Sequence, residues 1–135
     1  ILGKAFQVRN DINDVFLSDK IGKDKGSDLM EGKRTLLIIK TLENCNKKEK
    51  EFVLSKLGTN MNEDDLKRLS EVIKKNALKD CEDYCKKAAE EAKNLIKNLK
   101  LRKEGKEFLW NIADFVSPNA YYLLSKFSFS GFIFF

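Results

Sequence analysis

The sequence has no histidine, a single proline (Pro118) and only three glycines after residue 32. With so few breakers, long helices are allowed almost everywhere, and the chain is predicted to be all-α. Three cysteines, Cys45, Cys81 and Cys85, without a histidine cannot supply a usual four-ligand zinc set. Cys81 and Cys85, four apart, read instead as small, partly buried apolar residues on one helix face. An odd cysteine count without a signal peptide points to a reducing cytoplasm. No charge-free apolar run is long enough to span a bilayer. No internal repeat is visible.

What is present is globular in composition: 42% apolar and 35% charged residues in 135, enough for one domain. The net charge is +5. Lysines alternate with glutamates, as on solvated helix faces. That mixture argues against nucleic acid, which calls for a stripe of one sign. A modest basic excess suits an anionic small molecule.

Apolar periodicity predicts helices over residues 1–18, 35–44, 47–57 with Gly58 as C-cap, 62–78, 80–100 and 105–116, with a Gly- and charge-rich loop over 19–34. Residues 36–39 are apolar almost all round, so a buried helix is expected there. Glu63, Asp64 and Asp65 read as first-turn capping charge rather than a metal site. Ala88, Ala92, Leu95, Ile96 and Leu99 form the expected core face of the long helix. Trp110 is assigned to the core. Leu2, Ala5, Phe6 and Val8 look like side chains needing neighbours, and a start at Ile1 suggests a piece of something longer. The tail over 117–135 has five Phe in its last nine residues, interrupted by Lys126 and Gly131. An interfacial anchor, an aggregation-prone strand and non-native read-through sequence are all open for it, with the last two together preferred.

The candidate site lies at the start. In "FQVRNDINDVF", Asn10, Asp11 and Asp14 share one broad helix side, with Gln7 a turn earlier. Carboxylates this close repel, and a divalent cation would remove the conflict. Mg²⁺ takes a few carboxylates and completes its shell with water and phosphate oxygens. Spacing by itself leaves a solvated polar stripe open. The following loop, "GKDKGSD" then "EGKRT", brings Lys23, Lys25, Lys33 and Arg34, point charges and forks suited to phosphate. Gly22, Gly26 and Gly32 allow sharp turns, though not with Walker spacing.

With those motifs in order, "GKAFQVRNDINDVF…IGKDKGSDLMEGKRTLLIIKTLE" resembles the trans-isoprenyl diphosphate synthases, the polyprenyl synthetase family, of the archaeal geranylgeranyl diphosphate synthase kind. Phe6-Gln7 match that family's FQ. Asp11 and Asp14 match the second and last acids of its DDxxD motif. Lys23, Gly26, Asp28, Glu31, Gly32, Lys33 and Thr35 match its GKxxGxD and EGKxT loop. The resemblance covers residues 1–116, the C-terminal part of the family's helical isoprenoid synthase fold; the tail over 117–135 has no counterpart.

The resemblance implies a prenyltransferase joining an allylic diphosphate to isopentenyl diphosphate. Asp11 and Asp14, with Asn10, would hold Mg²⁺. Lys23 and Lys33 would meet the diphosphate, and Phe6 and Gln7 would line the reaction cavity; Gln7, Lys23 and Lys33 are the implied catalytic set. Asn10 departs from the motif, contributing a dipole where relatives carry a charge. The family's other aspartate-rich motif is absent from these residues, so the chain by itself is expected to be inactive. Its expected partners are the missing N-terminal half or a full-length synthase subunit, with a homodimer in the complete form. A non-catalytic subunit that modulates a full-length synthase is the alternative. Location is expected to be cytoplasmic, with a membrane-peripheral position left open.

Overall fold

The computed structural model describes residues 1–16 and 26–117. Among these, every regular element is helical: α1 (Leu2–Phe16), α2 (Ser27–Met30), α3 (Leu36–Asn44), α4 (Lys47–Lys56), α5 (Glu63–Ile73), a π-helical turn (Lys74–Leu78), α6 (Lys79–Asn98) and α7 (Lys103–Val116). The expected all-α class is what forms. Lys23, Lys25 and the Phe-rich tail lie outside the described residues.

Short polar side chains start α3, α4 and α5, as capping chemistry dictates. Thr35 accepts from the Ile38 N–H at the start of α3. Asn46 and Glu49 close a reciprocal capping box on α4. Asn62 accepts from the Asp65 N–H, so the acidic turn of α5 serves its helix start, and Asp65 also pairs with Lys56 at 2.9 Å. Gly58, one residue past the α4 cap Leu57, takes φ +75°.

The chain divides into two compact units: Gln7–Cys81, and Ile1–Phe6 with Glu82–Phe135. Within the first, α3 packs on α5 and the π-turn, and α4 packs on α5. Leu37, Ile38, Val53, Leu69, Ile73 and Ala77 form its core. Ile39 corrects the expectation of a helix buried all round, because it is 45% exposed. α3 packs through one side only.

Two helices were expected to meet near residue 79. Instead, α5, the π-turn and α6 run on without a break. Within the Gln7–Cys81 unit, buried residues recur at steps of four: Leu69, Ile73, Ala77, Cys81. In a plain α-helix each step of four overshoots a whole turn by about 40°, so this stripe would wind off the core. One extra residue in a π-turn takes back about 100°. Asn44 Nδ2 holds the turn by donating to the Asn76 carbonyl (2.8 Å) and Asp80 (3.1 Å).

In the other unit, Ala88, Ala92, Ile96, Ala113 and Val116 are buried. Leu95 and Leu99, assigned to the core face, are 52% and 44% exposed. The buried side of α6 is narrow and made mostly of alanine: Ala88, Ala89 and Ala92. Cys85 is fully buried and its Sγ donates to the Ala5 carbonyl at 3.7 Å. Phe6 and Phe115 rings lie 5.3 Å apart. Trp110 is half-buried, not core: Lys93 Nζ sits 5.0 Å and Lys97 Nζ 5.9 Å from its ring centroid, so its face receives cations.

Candidate functional site

The middle of α1 is largely buried. Val8, Ile12 and Val15 are buried there, and so are Arg9, Asp11, Asn13 and Asp14. A solvated polar stripe is therefore excluded for Asp11 and Asp14, which are 6% and 4% exposed. Asn10 is half-buried and Gln7 is exposed.

The two carboxylates are used differently. Asp14 holds the beginning of α2: the Ser27 hydroxyl donates to Oδ1 at 2.9 Å and the Asp28 N–H to Oδ2 at 3.3 Å. Gly26, at φ +74°, turns the chain into that contact and donates its own N–H to the Asp14 carbonyl. Among the described residues, Asp11 accepts from Gln7 Nε2 alone, at 3.0 Å. Burial pushes its carboxyl above the usual carboxylate range; the Gln7 hydrogen bond opposes this, and the charge of Asp28 adds to it. Repulsion from Asp14 is the weakest of the contributions. The tension expected between the aspartates is thus mainly desolvation.

Lys33 Nζ pairs with Asp28 at 3.0 Å and Glu31 at 3.5 Å. The Asp28 hydrogen bond and charge hold its ammonium above the ordinary lysine value. Lys33 lowers and Asp28 raises the Asp11 titration, so all three groups share one electrostatic neighbourhood. Arg34 is exposed. Phe6 belongs to the other unit, where it lines an apolar cavity of about 380 Å³ with Leu2, Gly3, Leu109, Asn111, Ile112 and Phe115.

The parts played by three residues were missed from the sequence, although Asp28 lies in the matched loop motif. Ser27 and Asp28 anchor Asp14, and the "GSD" after a glycine was the available signal, a short polar pair at a helix start. Asn13 is buried, and its Oδ1 finds no hydrogen-bond acceptor role among the described residues. No spacing rule marks it, because Asn13 lies off the side that Gln7, Asn10, Asp11 and Asp14 share.

Among the described residues no three His, Cys, Asp or Glu side chains gather into a ready-made metal cage. The oxygen donors that do lie on α1 are two carboxylates and the Asn10 amide. That set fits Mg²⁺, which takes one or two carboxylates and fills the rest of its shell with water and phosphate oxygens. The second oxygen of Asp11 has no hydrogen-bond donor among the described residues, and Asp14 keeps acceptor capacity beside Ser27 and Asp28.

The polyprenyl synthetase family model matches residues 1–76. The geranylgeranyl diphosphate synthase of Saccharolobus solfataricus is 40% identical over 101 residues, 73% of this chain and 30% of that protein. That of Sulfolobus acidocaldarius is 42% identical over 101 residues, 73% and 29%. The geranylfarnesyl diphosphate synthase of Aeropyrum pernix is 32% identical over 117 residues, 84% and 36%. The chain thus spans about a third or less of each of these relatives. No solved structure matches the chain.

Proposed function

Because this chain belongs to the polyprenyl synthetase family, we propose that its first helix and the loop after it form a Mg²⁺-diphosphate site of a trans-prenyltransferase. One observation carries the proposal: two carboxylates, Asp11 and Asp14, are buried on α1 with no lysine or arginine ion pair to either among the described residues. Buried charge of that kind is costly unless something cationic arrives.

Asp11 and Asp14, with the Asn10 amide, would hold the ion. When bound, Mg²⁺ supplies positive charge against a departing diphosphate. Asp14 does a second job by fixing Ser27 and Asp28, which orients the loop that carries Lys33. Lys33, released from Asp28, would offer its ammonium to diphosphate oxygens, and Lys23 of the same loop would do likewise. Gln7 holds Asp11 in place through its amide. The substrates are an allylic diphosphate and isopentenyl diphosphate, and the full catalytic unit is a longer chain or an assembly, homodimeric when complete. The 135 residues by themselves carry one half of the diphosphate chemistry and do not turn over.

Titration calorimetry with inorganic diphosphate tests this. Binding should require Mg²⁺, disappear in Asp11→Asn, and weaken several-fold in Lys33→Gln. Asn10→Asp should strengthen it, since a full charge replaces a dipole in a low-dielectric setting. Binding that ignores Mg²⁺, or Asp11→Asn and Asn10→Asp both without effect, would sink the assignment. Condensation of the two diphosphates by the chain alone would overturn the half-site view.

A further inference from the structure

The second half of α6 and α7 run antiparallel, held by Lys93 on Asp114, by Lys93 and Lys97 over Trp110, and by Lys106 Nζ donating to the Lys97 carbonyl at 3.4 Å. Their connection, residues 99–102, is the tip of a hairpin. The tip combines two features rarely left together at a surface. Leu95, Leu99 and Leu101 are 52%, 44% and 45% exposed. Around them, residues 95–108 carry Lys97, Lys100, Arg102, Lys103 and Lys106 against Glu104 and Glu107, five cations minus two anions, or +3 of the chain's net +5.

The cations are not all occupied at home. Lys97 serves Trp110 and Lys106 serves the end of α6. No carboxylate of the described residues pairs with Lys100, Arg102 or Lys103, all three exposed. Leu95 lies in the last turn of α6, and Leu99 follows just past its end, its N–H donating to the Ile96 carbonyl. Leu101 lies over the first turn of α7, its Cβ 3.8 Å from where a side chain at Gly105 would begin. The absence of a side chain there leaves Leu101 room at the tip.

We propose that this hairpin tip docks the chain onto the surface of an anionic lipid bilayer, the leucines entering the headgroup boundary and Lys100, Arg102 and Lys103 meeting lipid phosphates. Aliphatic side chains ringed by lysine and arginine are the composition that binds such interfaces, because apolar burial and attraction to anionic lipid act together. Long basic side chains can bury their stems and keep their charges at headgroup level. A protein partner fits less well, because interface cores are depleted in lysine. Nucleic acid fits less well again, since exposed leucines gain nothing against a phosphate backbone. None of the described helices is long and apolar enough to cross a membrane. The contact is therefore peripheral, and it does not depend on the diphosphate site.

The test is flotation of the full chain with vesicles of phosphatidylcholine alone and of phosphatidylcholine with phosphatidylglycerol, at low and high salt. Binding should favour the anionic vesicles and weaken with salt. Lys100→Gln with Arg102→Gln and Lys103→Gln should lower partitioning at least about tenfold. Leu99→Ser with Leu101→Ser should lower it also, and should leave Mg²⁺-diphosphate binding unchanged. Both variants alter exposed positions, and circular dichroism checks that each keeps its helices. Equal binding to neutral vesicles, or unaltered binding by the charge variant, would place the attraction elsewhere and refute the proposal. So would a Leu99→Ser, Leu101→Ser variant that dissociates an oligomer without changing flotation, which would make the tip a contact between copies.

Discussion

At the residue scale, the defining feature is a carboxyl held where water does not reach. Asp11 titrates above its usual value because burial disfavours its charge. Stability from the neutral form is therefore complete below about pH 3.8, its ordinary value, and is lost as pH rises through the higher folded value. Above that folded value the ionised side chain weakens the fold. Asp11→Asn keeps an oxygen for Gln7 and removes the buried charge. It should raise stability at pH 7 in the absence of divalent cation by on the order of 1 kcal/mol, and the advantage should vanish on acidification. Mg²⁺ with diphosphate should stabilise the unaltered chain and not the variant. Thermal melts of both proteins across pH, with and without the ion pair of ligands, measure all three effects. A site tuned for function is expected to show this conflict between stability and activity.

At the element scale, two glycines that look alike in sequence differ in the structure. Gly32 and Gly58 both adopt positive φ, 72° and 75°. A Cβ on Gly32 would meet the Gly58 backbone at 3.2 Å, whereas a Cβ on Gly58 would find Gly32 at 3.8 Å. Gly58→Ala should cost about 1 kcal/mol, the left-handed strain alone; Gly32→Ala should cost more, because backbone must also move. Urea unfolding of the two variants orders them, and the reverse order would contradict the packing. The π-turn makes a second prediction. Deleting the exposed Lys74 lets the turn relax to α-helix while both flanks keep their faces. Deleting the equally exposed Lys87 rotates everything beyond it by about 100°. The first deletion should melt within a few degrees of the parent, and the second should lose cooperative melting.

At the scale of the whole molecule, the surface carries more large apolar side chains than capping and charge can hide. Ile1, Ile39, Leu54 and Leu95 are each 45% exposed or more. Ile39 and Leu54 border a wide groove with Arg34, Leu42, Lys50 and Leu57. Surfaces of this kind associate. Sedimentation velocity should show concentration-dependent association of the chain, reduced by Leu54→Lys. A monodisperse, cooperatively melting monomer at all concentrations would show that these side chains are harmless singly, as scattered surface apolar residues often are.

The helical class and the capping charge of Glu63, Asp64 and Asp65 at the start of α5 were legible because each depends on neighbours within one turn. The order of the FQ, acidic and EGK motifs likewise identified the family from linear sequence. Periodicity located the helices but not which apolar residues are covered: Ile39, Leu95 and Leu99 match their helical patterns and are exposed, because coverage depends on what packs opposite. The same limit applies inside α1. Local spacing put Asp11 and Asp14 on one side, yet their unequal roles came from Ser27 and Asp28, which the fold brings to Asp14 from thirteen and fourteen residues away. Hydrogen-bond partners distant in sequence, and the removal of water from a charge, are properties of the packed chain. They alone decide that Asp14 orients the loop while Asp11 holds a charge the fold would rather not carry.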